Sequence, residues 1–224
     1  MNYVLVTSRP WNEDLCESLQ SELGGSWHLI TTKEELSKTV LDTINPEKIF
    51  IPHWSHIIPE EIWSNFECIV FHMTDLPYGR GGSPLQNLIA NGHTETKMSA
   101  IRVEAGLDTG NIYLKSPLSL NGKAQDIFIR AKGVIYNMIV EIIKKNPEPQ
   151  KQEGEITIFK RRTREDGNLE KLTNIQQIHD YIRMLDAEGY PNAFLETDEF
   201  EFSFTNSKLN ESNEIIANVR IRKK

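Results

Sequence analysis

Short apolar runs at residues 3–6, 27–30, 48–51 and 68–71 are each separated by a segment that reads as helix. That alternation argues for an α/β fold built on a largely parallel sheet covered by helices on both faces. The first helix is expected over 12–23, stopped by Gly24 and Gly25. A second starts at Thr32, with Glu35 completing a capping box, and runs to about Leu41. Pro59 opens a short third helix ending near Asn65. Further strands fall at 98–103 and 112–120. The clearest helix spans 124–145, where Ala131, Ile135, Met138, Ile139 and Ile142 share one face. The turn after the first strand lacks G-x-G-x-x-G, so a dinucleotide site of the Rossmann kind is not expected.

The segment Asn146-Pro147-Glu148-Pro149-Gln150, continuing to about Gly154, reads as a linker. It divides the chain into an expected catalytic domain, 1–150, and a small C-terminal subdomain, 151–224. In the second part residues 155–160 alternate like an exposed strand. Ile175, Ile178, Ile182 and Leu185 mark a helix ended by Gly189 and Pro191. Residues 192–195, 200–204 and 215–221 read as short antiparallel strands. The expected fold class is therefore α/β, with a mostly parallel Rossmann-like sheet and a small C-terminal mixed or antiparallel β subdomain.

The formal charge is -7, and proteins that grip a long phosphate backbone usually present a basic face. Nucleic acid is on this ground an unexpected partner. No apolar run is long enough to span a membrane, and residues 1–11 lack the features of a secretory leader, so a cytoplasmic protein with no membrane partner is expected. Cys16 and Cys68 sit among apolar residues and read as buried reduced thiols.

The chemistry concentrates between Cys68 and Gly110. His72 follows an apolar strand, a Pro/Gly-rich loop follows it, and Asp108 sits in a Gly-Leu-Asp-Thr-Gly turn. A histidine and an aspartate delivered by separate turns beside one sheet form a plausible acid/base pair. His53-x-x-His56 lies on a strand end, where the ring directions need not converge, and no cysteine accompanies it, so no metal is expected. Arg80 either meets a substrate phosphate or braces its own glycine-rich loop. Residues 160–164, rich in Lys and Arg, read as a solvated turn.

In order along the chain, His53-Trp54-Ser55-His56-Ile57-Ile58-Pro59, His72 with the loop Leu76-Pro77-Tyr78-Gly79-Arg80-Gly81-Gly82-Ser83-Pro84, Asn91-Gly92-His93-Thr94-Glu95-Thr96 and Gly106-Leu107-Asp108-Thr109-Gly110 resemble the motifs of the folate-dependent formyltransferases. The resemblance implies N10-formyltetrahydrofolate as co-substrate and transfer of its formyl group to an amine. It implies His72 as acid/base and oxyanion contact, with Asp108 orienting it. Ser55, His56, Ile57, Ile58, Ala105, Gly106 and Leu107 would bind the folate, and Tyr78, Arg80, Gly81 and Gly82 the acceptor. The sequence departs from the family at Val70, where the family carries an asparagine two residues before the histidine. Valine donates no hydrogen bond, and losing an oxyanion donor costs about 100- to 1000-fold in rate. His53 is the first candidate to replace it, with Ser55 and His56 behind it.

Residues 159–167, 178–183 and 189–194 resemble stretches of the sugar N-formyltransferases. They imply a nucleotide-sugar acceptor: a 4-amino-4,6-dideoxy sugar, on the pattern of UDP-4-amino-4,6-dideoxy-N-acetyl-altrosamine from pseudaminic-acid-type, cell-surface polysaccharide pathways. The rival readings are a formyltetrahydrofolate hydrolase and a non-catalytic nucleotide-sugar-binding relative. Exposed strands in the C-terminal part leave room for a homodimer edge.

Overall fold

The computed structural model describes residues 1–224. The elements in chain order are β1 (Asn2–Val6), α1 (Leu15–Leu23), β2 (Ser26–Ile30), α2 (Lys38–Ile44), β3 (Lys48–Pro52), α3 (Glu60–Trp63), β4 (Cys68–His72), β5 (Arg80–Gly81) and α4 (Pro84–Ala90). They continue with β6 (Glu95–Arg102), β7 (Ile112–Ser119), α5 (Ala124–Lys145), β8 (Ile158–Phe159), α6 (Ile175–Leu185), β9 (Ala193–Glu196), β10 (Phe200–Leu209) and β11 (Ile215–Lys223). Two compact units form: one from Met1–Arg80, Lys97–Leu118 and Ile129–Thr157, the other from Gly81–Thr96, Ser119–Phe128 and Ile158–Lys224. Residue 150, read as a domain boundary, thus lies inside the first unit.

The first unit is organised by a six-stranded sheet of order β2-β1-β3-β4-β6-β7. β1, β2, β3 and β4 pair in parallel, and β6 runs antiparallel to β4. The central strands lack polar alternation because both of their faces are covered. Tyr3 to Val6 and Ile49 to Ile51 are all buried. Val4, Val6, Ile49, Ile51 and Cys68 project to one face and meet Leu41 of α2 and Ile62 of α3. By the strand alternation Val70 and His72 project to this same face. On the other face Tyr3, Trp27, Phe50 and Phe71 form a run of ring contacts. Both cysteines are buried and free, and burial pushes the Cys16 thiol up to about 11.

In the second unit β9, β10 and β11 form an antiparallel sheet. Arg164 lies over the Phe194 ring at 3.9 Å and is ion-paired to Glu196 at 2.8 Å and to Glu201. The basic stretch at 160–164 is thus partly consumed by internal pairs. α4 was not foreseen. Its Pro84 takes the first helical position, where a missing N–H costs nothing, and Ser83 before it is left-handed at φ 52°. The helix expected from Thr32 begins instead at Lys38, because Ser37 accepts from Val40 N and forms the working cap. Thr32 and Glu35 do make reciprocal bonds, but these close only a turn. The strand expected over 155–160 shrinks to Ile158–Phe159.

Lys48, its side chain 7 % exposed, bonds Glu67 at 2.6 Å, and the Tyr113 hydroxyl donates to the same carboxylate at 2.9 Å. Removing Glu67 strands a buried ammonium. Glu67→Ala is therefore expected to lower stability by about 2–3 kcal/mol in chemical denaturation, and a change below about 0.5 kcal/mol, the range of featureless surface sites, would show that Lys48 finds water instead.

Candidate active site

His72 closes β4, and its imidazole is almost wholly buried. Its Nε2 lies 2.8 Å from the carbonyl oxygen of Gly79. A carbonyl only accepts, so Nε2 carries the proton and Nδ1 is left with a lone pair in the neutral ring. Nδ1 faces Asp108 Oδ2 at 3.6 Å, too long for a direct hydrogen bond and short enough for strong attraction once the ring is protonated. The expected histidine and aspartate are brought together.

The loop that carries Gly79 is held from several sides. Ser99, opposite His72 in the β4–β6 register, donates to Thr74 O at 2.7 Å and accepts from Leu76 N. Lys115 donates to Asp75 and to Leu76 O, and Lys97 pairs with Asp75 at 2.9 Å. These cations keep the Asp75 carboxyl below its ordinary value against the opposing effect of burial, which is the larger single influence.

The turn that carries Asp108 depends on its glycines. A side chain at Gly110 would put Cβ 1.7 Å from Arg102 O, so only glycine lets the returning chain pass β6. Thr109 donates to Ala105 O at 2.8 Å and closes the turn, and Asp108 itself sits at φ 53°. From outside, Gln152 Nε2 donates to both Asp108 O and Gly110 O at 2.8 Å, while its Oε1 accepts from Arg80 Nε at 3.1 Å and Nη2 at 2.8 Å. Gln152 lies in the stretch read as linker, and nothing in its sequence neighbourhood signals this role.

His53 directly follows β3, after the Pro52–Phe71 pair that ends its register with β4. Its backbone is left-handed at φ 53°, which takes the ring off the pleat of the strand. Nδ1 meets Asn12 Nδ2 at 3.0 Å, and Nε2 is buried. Asn12 Nδ2 also donates to Thr7 Oγ1 at 3.1 Å, and Ser8 donates to His53 O. The geometry ties His53 into the β1 end and turns both ring nitrogens inward. Burial, with the Arg9 guanidinium adding to it, pushes the imidazole down from 6.5 to about 4.

Among the residues expected to touch folate, Ser55 and His56 are exposed, Ile58 is buried in the core cluster, and Ala105 and Gly106 are exposed. Ile57 and Leu107 stand out at 85 % and 64 % exposure. The Trp54 indole packs on the core cluster and against the His56 ring, and its Nε1 is buried without a hydrogen-bond partner in the protein. Asn12 Oδ1 is likewise buried and accepts nothing. Of the residues expected at the acceptor, Tyr78 is half-buried and Arg80 is engaged by Gln152. Gly81 and Gly82 press on the backbone of Phe159 and Arg161, where a Cβ would come within 2.3 and 2.7 Å of backbone atoms. Their conformational role is thereby accounted for without a ligand. No cluster of three or more His, Cys, Asp or Glu side chains is placed to hold a metal ion, and no helix is long and apolar enough to cross a membrane.

Comparison with known proteins places this geometry. Residues 26–125 match the family model described as formyl transferase, and residues 164–222 match that described as methionyl-tRNA formyltransferase, C-terminal domain. A solved methionyl-tRNA formyltransferase from Clostridium thermocellum is 47% identical, with 100% of both chains covered and a TM-score of 0.96. The methionyl-tRNA formyltransferase of Thermodesulfovibrio yellowstonii is 30% identical over 151 residues, 64% of this chain and 49% of that protein. The chain spans about half the length of the curated relatives it matches. A structure from Mycobacterium tuberculosis described as a likely sugar N-formyltransferase shares the fold, at 12% identity, TM-score 0.71 and coverage of 97% of this chain and 95% of that one.

These similarities overturn the nucleotide-sugar reading, with its UDP-linked and pseudaminic-acid acceptors, because the high-identity relatives are methionyl-tRNA enzymes. They also remove the ground for expecting no nucleic-acid partner. The charge of -7 is a sum over the whole chain, whereas an RNA responds to local charge. The end of the chain carries Arg220, Arg222, Lys223 and Lys224 close together in sequence, with Arg222 and Lys224 ion-paired to Glu201 and Glu196.

The inward-facing His53 ring has a measurable consequence. Between pH 6.5 and about 4 the unfolded chain binds a proton that the folded His53 refuses. The stability that goes with its neutral burial is complete above pH 6.5 and drains away as pH falls. About 3 kcal/mol is expected to be lost by pH ~4, and His179, also lowered by burial, acts in the same direction. His53→Asn is expected to flatten much of this slope in thermal unfolding across the window. An unchanged slope would mean that the ring protonates freely in the folded protein.

Proposed function

This chain belongs to the formyl transferase family, which uses N10-formyltetrahydrofolate, and from that premise we propose that it transfers the formyl group to the α-amino group of methionyl-tRNA. The observation that carries the acceptor is the 47% identity, over the full length of both chains, to the Clostridium thermocellum methionyl-tRNA formyltransferase. The chemistry is carried by His72 and Asp108. Bound N10-formyltetrahydrofolate supplies the formyl carbon. His72 Nδ1, its lone pair left open by the Nε2–H bond to Gly79, takes one proton from the attacking amine. Asp108 stabilises the imidazolium so formed across the 3.6 Å gap. The nitrogen–carbon bond forms at the amine, the carbon–nitrogen bond to the donor breaks, and Nδ1–H returns a proton to the departing nitrogen. In between, the protonated Nδ1–H is also the donor available to the formyl oxygen, since Val70 on the same strand face has none to offer.

Several residues fit the folate. Ile57 and Leu107 expose apolar side chains that a pterin can cover. Ser55, His56 and Gly106, their neighbours in sequence, are also exposed. His53 is assigned to anchoring the end of β3 to Asn12, in preference to meeting the formyl oxygen.

The test is formation of formyl-methionyl-tRNA from N10-formyltetrahydrofolate and charged initiator tRNA. His72→Ala and Asp108→Asn are each expected to lower kcat by about 100- to 1000-fold. The KM for tRNA is expected to rise steeply with salt while the KM for folate does not, because only the tRNA releases condensed counterions. Absence of formylated product with the parent chain, or formylation that survives loss of His72, would overturn the assignment.

A further inference from the structure

Gln152 touches neither His72 nor the Asp108 carboxylate through any bond described above, yet its carboxamide is engaged at both ends by the two loops that flank the imidazole. Its orientation is forced by chemistry. Arg80 only donates and backbone carbonyls only accept, so Oε1 must face the guanidinium and Nε2 the carbonyls of Asp108 and Gly110. Arg80 directly follows Gly79, whose carbonyl holds His72 Nε2–H, and Asp108 faces His72 Nδ1. One planar amide therefore joins the side chain of Arg80, the residue after the partner of Nε2, to the backbone of Asp108, whose carboxylate faces Nδ1.

The Asp108 end has the greater need of it. A non-glycine residue at φ 53° costs on the order of 1 kcal/mol and persists only where its surroundings hold it. Thr109 and Gly110 shape the turn from within. Gln152 grips the Asp108 carbonyl from outside the turn and so helps to hold the backbone from which the carboxylate projects.

We propose that Gln152 is a positioning residue that sets the separation of the His72 and Asp108 side chains by coupling the Gly79–Arg80 loop to the Asp108 turn. The proposal rests on the acid/base reading of that pair given above. It gives Arg80 a partner inside the protein and makes the guanidinium part of the frame around His72.

Gln152→Glu separates the two ends of the amide. It keeps an acceptor for Arg80 and sets a carboxylate oxygen against two carbonyls, so the Asp108 turn loses its grip while the Arg80 contact, and with it folding, is retained. A crystal structure of this variant should show the His72 Nδ1–Asp108 Oδ2 distance opened from 3.6 Å, and an unchanged distance overturns the proposal whatever the acceptor is. In formyl transfer, Gln152→Glu and Gln152→Ala should lose about 10- to 100-fold in kcat, with each KM within about threefold of the parent. Gln152→Glu should cost nothing further in an Asp108→Asn background. A KM rise at unchanged kcat, or losses that add fully to those of Asp108→Asn, also overturns the proposal. If Asp108→Asn itself keeps the parent kcat, the acid/base reading falls, and that outcome is separate from a failure at Gln152. Thermal unfolding confirms that the variants compared are folded, and the Gln152→Glu result decides if Gln152→Ala is not.

Discussion

The hydrogen bond from His72 Nε2–H to the carbonyl of Gly79 is the constraint on which the site depends. It settles which ring nitrogen carries the proton, and it does so with a partner that cannot reverse roles. Everything useful about Nδ1 follows: an open lone pair, a fixed direction, and a carboxylate oxygen 3.6 Å away. The surrounding contacts can be ranked by how they serve that bond. Ser99, Lys115 and Lys97 hold the loop that presents Gly79. Thr109, Gly110 and Gln152 hold the turn that presents Asp108.

Val70 marks where this chain differs from the pattern its motifs otherwise follow. It shares the strand face of His72 and sits between Ile51 and Ile101 in the sheet register. Valine offers no hydrogen-bond donor at that position. The first candidate read from the sequence to replace the donor, His53, is drawn toward β1 by Asn12 and kept neutral by burial. A neutral buried imidazole is cheap to keep where a charged one would be costly.

Much of this was legible in the sequence for identifiable reasons. His72 could be read because an apolar strand ends on it, and Asp108 because Gly-Leu-Asp-Thr-Gly is a turn whose glycines have no substitute, as Gly110 against Arg102 O bears out. The 22-residue helix was read to its ends, since its apolar stripe is long enough to be unambiguous. Gln152 was not legible. Its partners are backbone carbonyls and an arginine far along the chain, and backbone groups leave no trace in residue identity. The acceptor was misread because bulk charge was used for a property that depends on where charges sit, and because short motif likenesses in the C-terminal part carried less information than identity over the full chain.

By itself the sequence determined the alternating α/β plan, the His72–Asp108 pair and the turn that carries the aspartate, because these follow from local periodicity, from glycine's steric freedom and from the chemistry of single side chains. Only the tertiary structure decided which nitrogen of His72 is basic, that His53 faces inward, and that an amide from the presumed linker clamps the aspartate turn. Those outcomes depend on distances between residues remote in the chain, and a linear pattern does not contain distances.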